Sequence, residues 1–478
     1  PVTPAPAASV VPARTADLFA PGLRGLTLGI VATVTLVALE SLAIGIAVAI
    51  VAEELGGIEL FGWVYSAFFL GTLIGTVVAG GALDRFPLHR PFAVGLLLFA
   101  VGLLIGGLAP TMPILILARF IQGLGGGAIT PTAYVAIGRG LPDRLQPRMF
   151  AMMSAAWVVP GIIGPSLAAI VVQLAGWRWV FLGLLPLLAI AGGLAVASLR
   201  RIGTSAPPEE HAAAASTLKR VPGALVAAAG AGILLAALTV PEPLIALGMA
   251  AAGLALLVPA YRRLTPPGTL RLARGVPAAV LVRGLMTFAF FSADALLSAL
   301  LQTWLERPPV LTGVVFTVTT VAWSGATWFQ ARWIDRVGPV RFVAVGFGLI
   351  ALGSALTIPV ALRLLPPEAT IVTWFFPGIG MGLMYSAATL VVLRRSPQQE
   401  QGSNSAAMQM SDILGTALGA GVGGALLAAG ERAGGDAIGI GLALVFAVSL
   451  AASVAGVLSA GRLGAVSTVR NAAGGGVD

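Results

Sequence analysis

Long apolar runs, each bounded by a few polar or charged residues, follow one another from residue 25 to residue 460. A helix that crosses a bilayer needs roughly 20 apolar residues. Six segments of that kind come first, at 25–52, 60–83, 91–110, 113–138, 147–174 and 178–199, here helices 1 to 6. The polar stretch Arg200–Arg220 separates them from two uncharged helices, A (222–240) and B (243–260). Helices 7 to 12 follow at 277–305, 310–333, 340–362, 369–393, 403–429 and 437–460. Such unbroken runs exclude a transmembrane β-barrel, whose strands alternate over about ten residues. The predicted fold class is an all-α polytopic membrane protein with fourteen transmembrane helices. It divides into a tail (1–24), a six-helix half (25–199), loops carrying two extra helices (200–276), a second half (277–460) and a tail (461–478). No basic stretch precedes a short apolar core in the first 23 residues. No cleaved signal is expected, and helix 1 serves as the insertion signal.

Composition agrees with the pattern. Of 478 residues, 58% are apolar and 10% charged, against about 25% charged in soluble domains. Mean hydropathy is +0.97. There is no cysteine, which excludes a disulfide scaffold. The net charge of +9 looks like a nucleic-acid signal until the charges are placed. With the N-terminus in the cytoplasm, 22 of the 28 basic residues face inward, four face outward, and Arg119 and Arg283 lie within helices. Eight acids fall on each side, so the inner side carries +14 and the outer side −4. This is a positive-inside pattern. It puts both termini in the cytoplasm and makes anionic lipid at that face the expected partner, with no role for nucleic acid. All but one of the basic residues are arginine, which suggests a bacterial inner membrane as the setting.

The two halves echo each other at an offset near 250 residues. Glu40 in helix 1 matches Asp294 in helix 7, 254 positions on. Asp84-Arg85 after helix 2 matches Asp335-Arg336 after helix 8, 251 positions on. Ala151-Met152-Met153-Ser154 is echoed by Met408-Gln409-Met410-Ser411, at an offset of 257. Transporter folds are often built from such repeats, with the substrate site between them near the midplane.

The helix 2–3 connection reads Gly80-Gly81-Ala82-Leu83-Asp84-Arg85-Phe86-Pro87-Leu88-His89-Arg90. This resembles the G-x-L-A-D-R-x-G-R-[KR] loop signature of the major facilitator superfamily. Gly80, Asp84 and Arg85 match; Pro87 stands in the second glycine's place and the next basic residue is displaced to Arg90. The second copy has Asp335, Arg336, Gly338 and Arg341, with Ala331 in place of the first glycine. The resemblance implies a latch at the inner gate, where an Asp near a helix end pairs across the halves. A polar loop that only sets topology is the alternative. Helix 4 contains Leu115-x-x-x-Arg119-x-x-Gln122-Gly123-x-Gly125. It is similar to the L-x-x-x-R-x-x-Q-G-x-G signature of proton-coupled members; the alternative is an arginine that snorkels to the outer surface. Helix 5 contains Gly161-Ile162-Ile163-Gly164-Pro165-Ser166-Leu167-Ala168-Ala169. This is similar to the antiporter signature G-x-x-x-G-P-x-x-G-G, with Gly161 shifted by one and alanines at the end. A plain proline kink is the alternative. The six-plus-two-plus-six helix count resembles the fourteen-helix drug:proton antiporter branch, which implies two pseudo-symmetric halves with two inserted helices.

Ionisable residues inside spans are functional candidates by default. Glu40 lies mid-span, within reach of Arg119. Burial and a nearby guanidinium act on a carboxyl in opposite senses, a balance suited to proton carriage. Glu40, Arg119 and Asp294 are thus the expected proton-coupling residues, with static ion pairs as the alternative. Asp412 is a candidate substrate sensor, and Arg283 is expected to snorkel at the inner end of helix 7. Tyr134, Trp157, Phe288, Phe291, Gln302, Trp323 and Gln409, with Glu40, Asp294 and Asp412, are expected to line a cavity. Trp63, Trp177, Trp179 and Trp304 read as an outer interfacial belt.

No phosphate-binding loop, metal-ligand cluster or nucleophile motif is present in the sequence. The expected function is therefore secondary transport with the proton as coupling ion and no cofactor, by a monomer exporting hydrophobic or cationic small molecules. Export of an endogenous amphiphile, import of a metabolite and a non-transporting scaffold are the alternatives. The central helices hold too few amides for a sugar importer.

Overall fold

The computed structural model describes residues 15–83, 85–142, 144–201, 221–397 and 400–464. Asp84, the 202–220 segment and residues 1–14 and 465–478 of the tails, about which expectations were stated above, lie outside the described residues. Among the described residues fourteen main helices follow one another: α1 Arg24–Leu55, α2 Phe61–Leu83, α3 His89–Gly107, α4 Met112–Gly140, α5 Gln146–Ala175, α6 Arg178–Leu199, α7 Val221–Ala237, α8 Pro243–Leu264, α9 Val276–Asp294, α10 Pro309–Val337, α11 Pro339–Ala361, α12 Thr370–Arg395, α13 Gln401–Ala433 and α14 Ala437–Ala460. Among the described residues, thirteen spans are long and apolar enough to cross a membrane. The exception is α7, predicted helix A, which stops at Ala237. At 17 residues and about 1.5 Å per residue its described part is about 26 Å long, a little short of the roughly 30 Å hydrocarbon core.

The packing is duplicated. In the first half α4 lies along both α2 and α3, while α1 packs against α5 and α6. In the second, α12 lies along α10 and α11, while α9 packs against α13 and α14. The halves meet by exchange of equivalent helices: α2 against α13, and α5 against α10. That exchange is what a two-fold relation requires. The inserted pair, α7 and α8, forms a hairpin whose α7 leans on α2 and on α13. Tyr261 of α8 ties it to α13 through a hydroxyl contact with Ser411 of 2.7 Å.

Helix 7 departs from the continuous 277–305 rod expected of it. The α-helix ends at Asp294; Leu296 N–H then donates to Ala293 at 3.0 Å. The chain resumes as a π-turn, Ala299–Trp304, in which Leu305 N–H reaches back to Leu300. The break sits beside an acid in mid-span, a place where interrupted helices serve ion sites and π-turns often mark function.

Candidate functional site between the two halves

Glycine places the first-half charges. A Cβ on Gly123 would lie 2.0 Å from the Phe68 carbonyl oxygen, so only glycine lets the α4 backbone come this close to α2. At that separation Arg119 Nε donates to the Val64 carbonyl at 3.2 Å, and its guanidinium stacks 4.4 Å above the Phe68 ring. Nη1 donates to Gln122 Oε1 at 2.8 Å and to Glu40 Oε1. Both charged side chains are buried, so the arginine does not snorkel. Nε and Nη1 of the guanidinium are thus engaged, yet Glu40 Oε2 and Gln122 Nε2 have no hydrogen-bond partner among the described residues.

In the second half, Asp294 Oδ1 accepts from the Trp374 indole at 2.9 Å. Arg283 is not at an inner surface. It is buried and holds Asp412 by two bonds, Nε to Oδ1 at 3.0 Å and Nη2 to Oδ2 at 3.2 Å. Tyr385 donates its hydroxyl to Asp412 Oδ2 at 2.8 Å and accepts Arg283 Nη1 on its carbonyl at 2.7 Å. The expectation that Arg283 snorkels is therefore corrected: a partner 129 residues away replaces solvent. Asp412 is correspondingly engaged, with little carboxylate capacity left for a substrate. Tyr385, Trp323, Phe290 and Trp374 touch ring to ring at 5.7–5.9 Å, so one aromatic row joins the Arg283–Asp412 pair to Asp294. Phe291 extends it to Phe69 of the first half at 6.2 Å.

The halves touch toward the end that carries Glu54 and part toward the end that carries Asp335. Ser66 Oγ donates to the Ala417 carbonyl at 2.8 Å, and Gln302 Nε2 to the Ile46 carbonyl at 3.2 Å. Thr317 of α10 donates to the Ile162 carbonyl of α5 at 3.1 Å. A Cβ on Gly161 would meet Thr320 at 2.4 Å, on Gly164 it would meet Leu39 at 2.9 Å, and Pro165 lies beside Gly313. The helix 5 motif thus sits in the seam between the halves, where small residues allow close approach. Toward the other end Trp157 is 41% and Trp328 71% exposed, and Tyr134 stacks on Phe150 at 5.9 Å with both rings partly open.

Some expected cavity residues are buried in packing. Gln302 is one: besides Ile46 it donates to Thr312 at 3.1 Å. Phe288, Phe291 and Trp323 are half-buried, and Gln409 is exposed on α13. Trp177 is not a belt residue: it is buried and donates to Glu54 Oε2 at 2.7 Å. In the gate motif, Asp335 accepts Arg394 of α12 at 3.0 Å, a pair inside the second half and not across the halves. Arg336 stacks on Trp333 at 5.1 Å, and Gly338, at φ +83°, ends α10. Gly80 is half-buried in α2, while Arg85, Arg90 and Arg341 are exposed. Sequence reasoning missed Tyr65, Trp374 and Tyr385. The available signal was rarity, since the chain holds four tyrosines and Tyr65 and Tyr385 both lie inside otherwise apolar spans.

A model of the Major Facilitator Superfamily matches residues 28–363. A Mycobacterium tuberculosis protein named "Probable multidrug-efflux transporter" is 26% identical over 420 residues, 84% of this chain and 87% of that protein. The "Multidrug resistance protein B homolog" of the same species is 29% identical over 373 residues, 74% of this chain and 68% of its own length. Among solved structures, a peptide transporter bound to alafosfalin superposes with a TM-score of 0.65 at 14% identity, over 92% of this chain and 95% of that one. A D-xylose–proton symporter gives 0.61 at 14% identity, over 90% and 96%. With the family match covering the first half and running into the second, this integral membrane protein is a transporter and belongs to the Major Facilitator Superfamily.

Proposed function

We propose that the chain is a proton-coupled antiporter that exports hydrophobic or cationic small molecules from a bacterial cytoplasm by alternating access. The observation that carries this reading is the buried Glu40–Arg119 pair, in which one carboxylate oxygen stays unpartnered. A proton arriving on Glu40 removes the charge that holds Arg119. The guanidinium keeps Gln122 and the Val64 carbonyl, so it can be released without being abandoned. Asp294, tied only to an indole among the described residues, serves as a second proton site. The sorted arginines put the Asp335 end and both termini in the cytoplasm, against anionic lipid. On that orientation the parted end faces inward, ready to load. The names of the two mycobacterial relatives support export of drugs. We take the functional unit to be a monomer, since both halves of the site lie in one chain.

Each proton gains about 1.4 kcal/mol per pH unit and about 2.3 kcal/mol per 100 mV, enough to drive such a cycle. The test is ethidium transport in proteoliposomes under an imposed pH gradient. Glu40→Gln is expected to abolish gradient-driven movement while the protein still folds and inserts. Wild-type rates in that variant refute proton carriage by Glu40. A second reading, export of an endogenous amphiphile, is favoured by the α7–α8 hairpin, which lines the seam between α2 and α13 where a lipid-soluble substrate would enter.

A further inference from the structure

The inserted hairpin touches both halves, and it touches them differently. Its own two helices are locked together. A Cβ on Gly253 of α8 would lie 2.7 Å from the Leu234 nitrogen, and one on Gly230 of α7 would lie 2.6 Å from the Leu257 nitrogen. Small residues that bring two backbones this close leave little room for sliding, so α7 and α8 move as one piece.

That piece is hooked to α13 at three heights. Toward the Asp335 end, Tyr261 and Ser411 share the 2.7 Å hydroxyl contact, and both are buried. Ser411 Oγ donates to the Ala407 carbonyl at 3.1 Å, so the Tyr261 hydroxyl is the donor between the two. Midway, the Leu235 methyls of α7 fill the notch that Gly421 leaves; a Cβ there would lie 2.4 Å from one of them. Toward the Glu54 end, Arg432 Nη1 reaches the Thr239 carbonyl at 3.5 Å. The contact with α2 is of another kind. Leu70 and Leu73 join Ala227, Ala231 and Leu257 of the hairpin in one buried cluster. A Cβ on Gly232 would pass the Leu70 methyl at 3.7 Å, an ordinary aliphatic distance. Among the described residues no hydrogen bond links the hairpin to α2.

The two kinds of contact answer a shear differently. Moving Tyr261 off Ser411 strands a buried hydroxyl away from water, which is costly. Drawing Leu235 out of its notch opens a void beside Gly421. Aliphatic surfaces attract without direction, so Leu70 and Leu73 can exchange one hairpin neighbour for the next at little cost. Yet α2 and α13 belong to different halves, and their separation must change when the halves exchange arrangements.

We infer that the hairpin belongs to the moving body of the second half, held on α13 by Tyr261 and Leu235, and that the slip surface of this seam lies between the hairpin and α2. The flank of α13 then stays covered in both arrangements, and Leu70 and Leu73 of α2 are the residues that trade neighbours. This rests on the reading of alternating access, and on neither the coupling ion nor the substrate.

The test is pulsed electron resonance between pairs of spin labels on the full chain in proteoliposomes. The chain has no cysteine of its own. Three exposed positions at the Glu54 end take the labels: Leu108 between α3 and α4, Glu242 between α7 and α8, and Leu364 between α11 and α12. The Leu108–Leu364 pair reads the halves against each other. Between wild type and Gly424→Ala, or between low and high pH, that distance is expected to change. Glu242–Leu108 is expected to change with it, and Glu242–Leu364 to stay fixed. A Glu242–Leu364 distance that changes with the state overturns the inference. A Leu108–Leu364 distance that never changes refutes alternating access, and the inference with it, by a distinct signature. The hooks have their own variant. Tyr261→Phe combined with Leu235→Ala is expected to broaden the Glu242–Leu364 distribution, and an unbroadened one refutes anchoring by these two residues. Should that combination not fold, Ser411→Ala with Leu235→Ala removes the same bond from the other side and must give the same broadening.

Discussion

Closure at the Glu54 end depends on two glycines, and adding one methyl group there has a calculable effect. A Cβ on Gly424 of α13 would lie 2.4 Å from Gly62 Cα and 2.5 Å from Gly62 N, both backbone atoms of α2. Carbon atoms pack at about 3.5–4.0 Å, so the two helices must part by about 1 Å. A backbone contact cannot yield by rotating a side chain. Overpacking of this kind costs about 1–3 kcal/mol, and the cost falls only on the arrangement in which the halves touch here. Gly424→Ala should therefore shift the population toward the opposite arrangement by about 5- to 150-fold. The chain has no cysteine, so a single introduced thiol reports access cleanly. Ala169→Cys lies buried against Gly313 in the closed seam, and Trp328→Cys lies at the open end. Adding Gly424→Ala should raise maleimide labelling at the first roughly tenfold or more and lower it at the second. Gly348→Ala, whose Cβ meets nothing within 4 Å, is the control. Unchanged labelling at both positions refutes the idea that this glycine contact holds the end shut.

Two further outcomes follow from the site and the topology. Asp412→Asn leaves Arg283 buried with the Tyr385 carbonyl and ring, Thr389 and a neutral amide; removing one member of a buried pair costs about 3–5 kcal/mol and those contacts recover part of it. A lowered thermal unfolding midpoint in detergent is expected, and an unshifted one refutes a structural role for the pair. Glu242→Cys, in the turn between α7 and α8, should react with an impermeant maleimide from the outside of intact cells; reaction from the inside alone refutes the orientation.

The spans were readable because a bilayer imposes one simple requirement, a long apolar run, and thirteen of the fourteen described helices answer to it. Glu40 and Arg119 were readable as a pair because both are costly in hydrocarbon and the long arginine side chain can reach the few residues deeper at which Glu40 sits. Arg283 was misjudged because depth was counted along its own helix alone. Seven residues into α9 is near enough to a surface for a long side chain to reach it, and nothing in the local sequence reveals that Asp412 waits on α13. The break after Asp294 had no local mark either, since residues 290–304 contain neither glycine nor proline. Asp335 fell to a nearer partner than expected: Arg394 lies on a helix that packs beside its own.

The duplication has preserved packing and let the chemistry diverge. Gly123 and Gly378 are 255 positions apart, and both abut a carbonyl of the neighbouring helix, Phe68 and Thr319, themselves 251 apart. Arg119 and Trp374 are also 255 apart, and each reaches the acid of its own half, Glu40 and Asp294. One scaffold therefore delivers a guanidinium to the first acid and a neutral indole to the second. The first site carries its own countercharge, whereas among the described residues the second has a hydrogen bond and no cation. In a low-dielectric interior an uncompensated charge is far more costly than a paired one. Asp294 must thus settle its charge with a proton or with a cation from outside the chain, while Glu40 already has one. The Arg283–Asp412 pair has no counterpart in the first half, where the corresponding positions hold Gly29 and Ala155. A strictly symmetric chain would present two equal acids; this one presents one paired acid and one without a countercharge among the described residues, and under the proposed proton coupling that asymmetry would give the two arrangements of the halves different reasons to hold a proton.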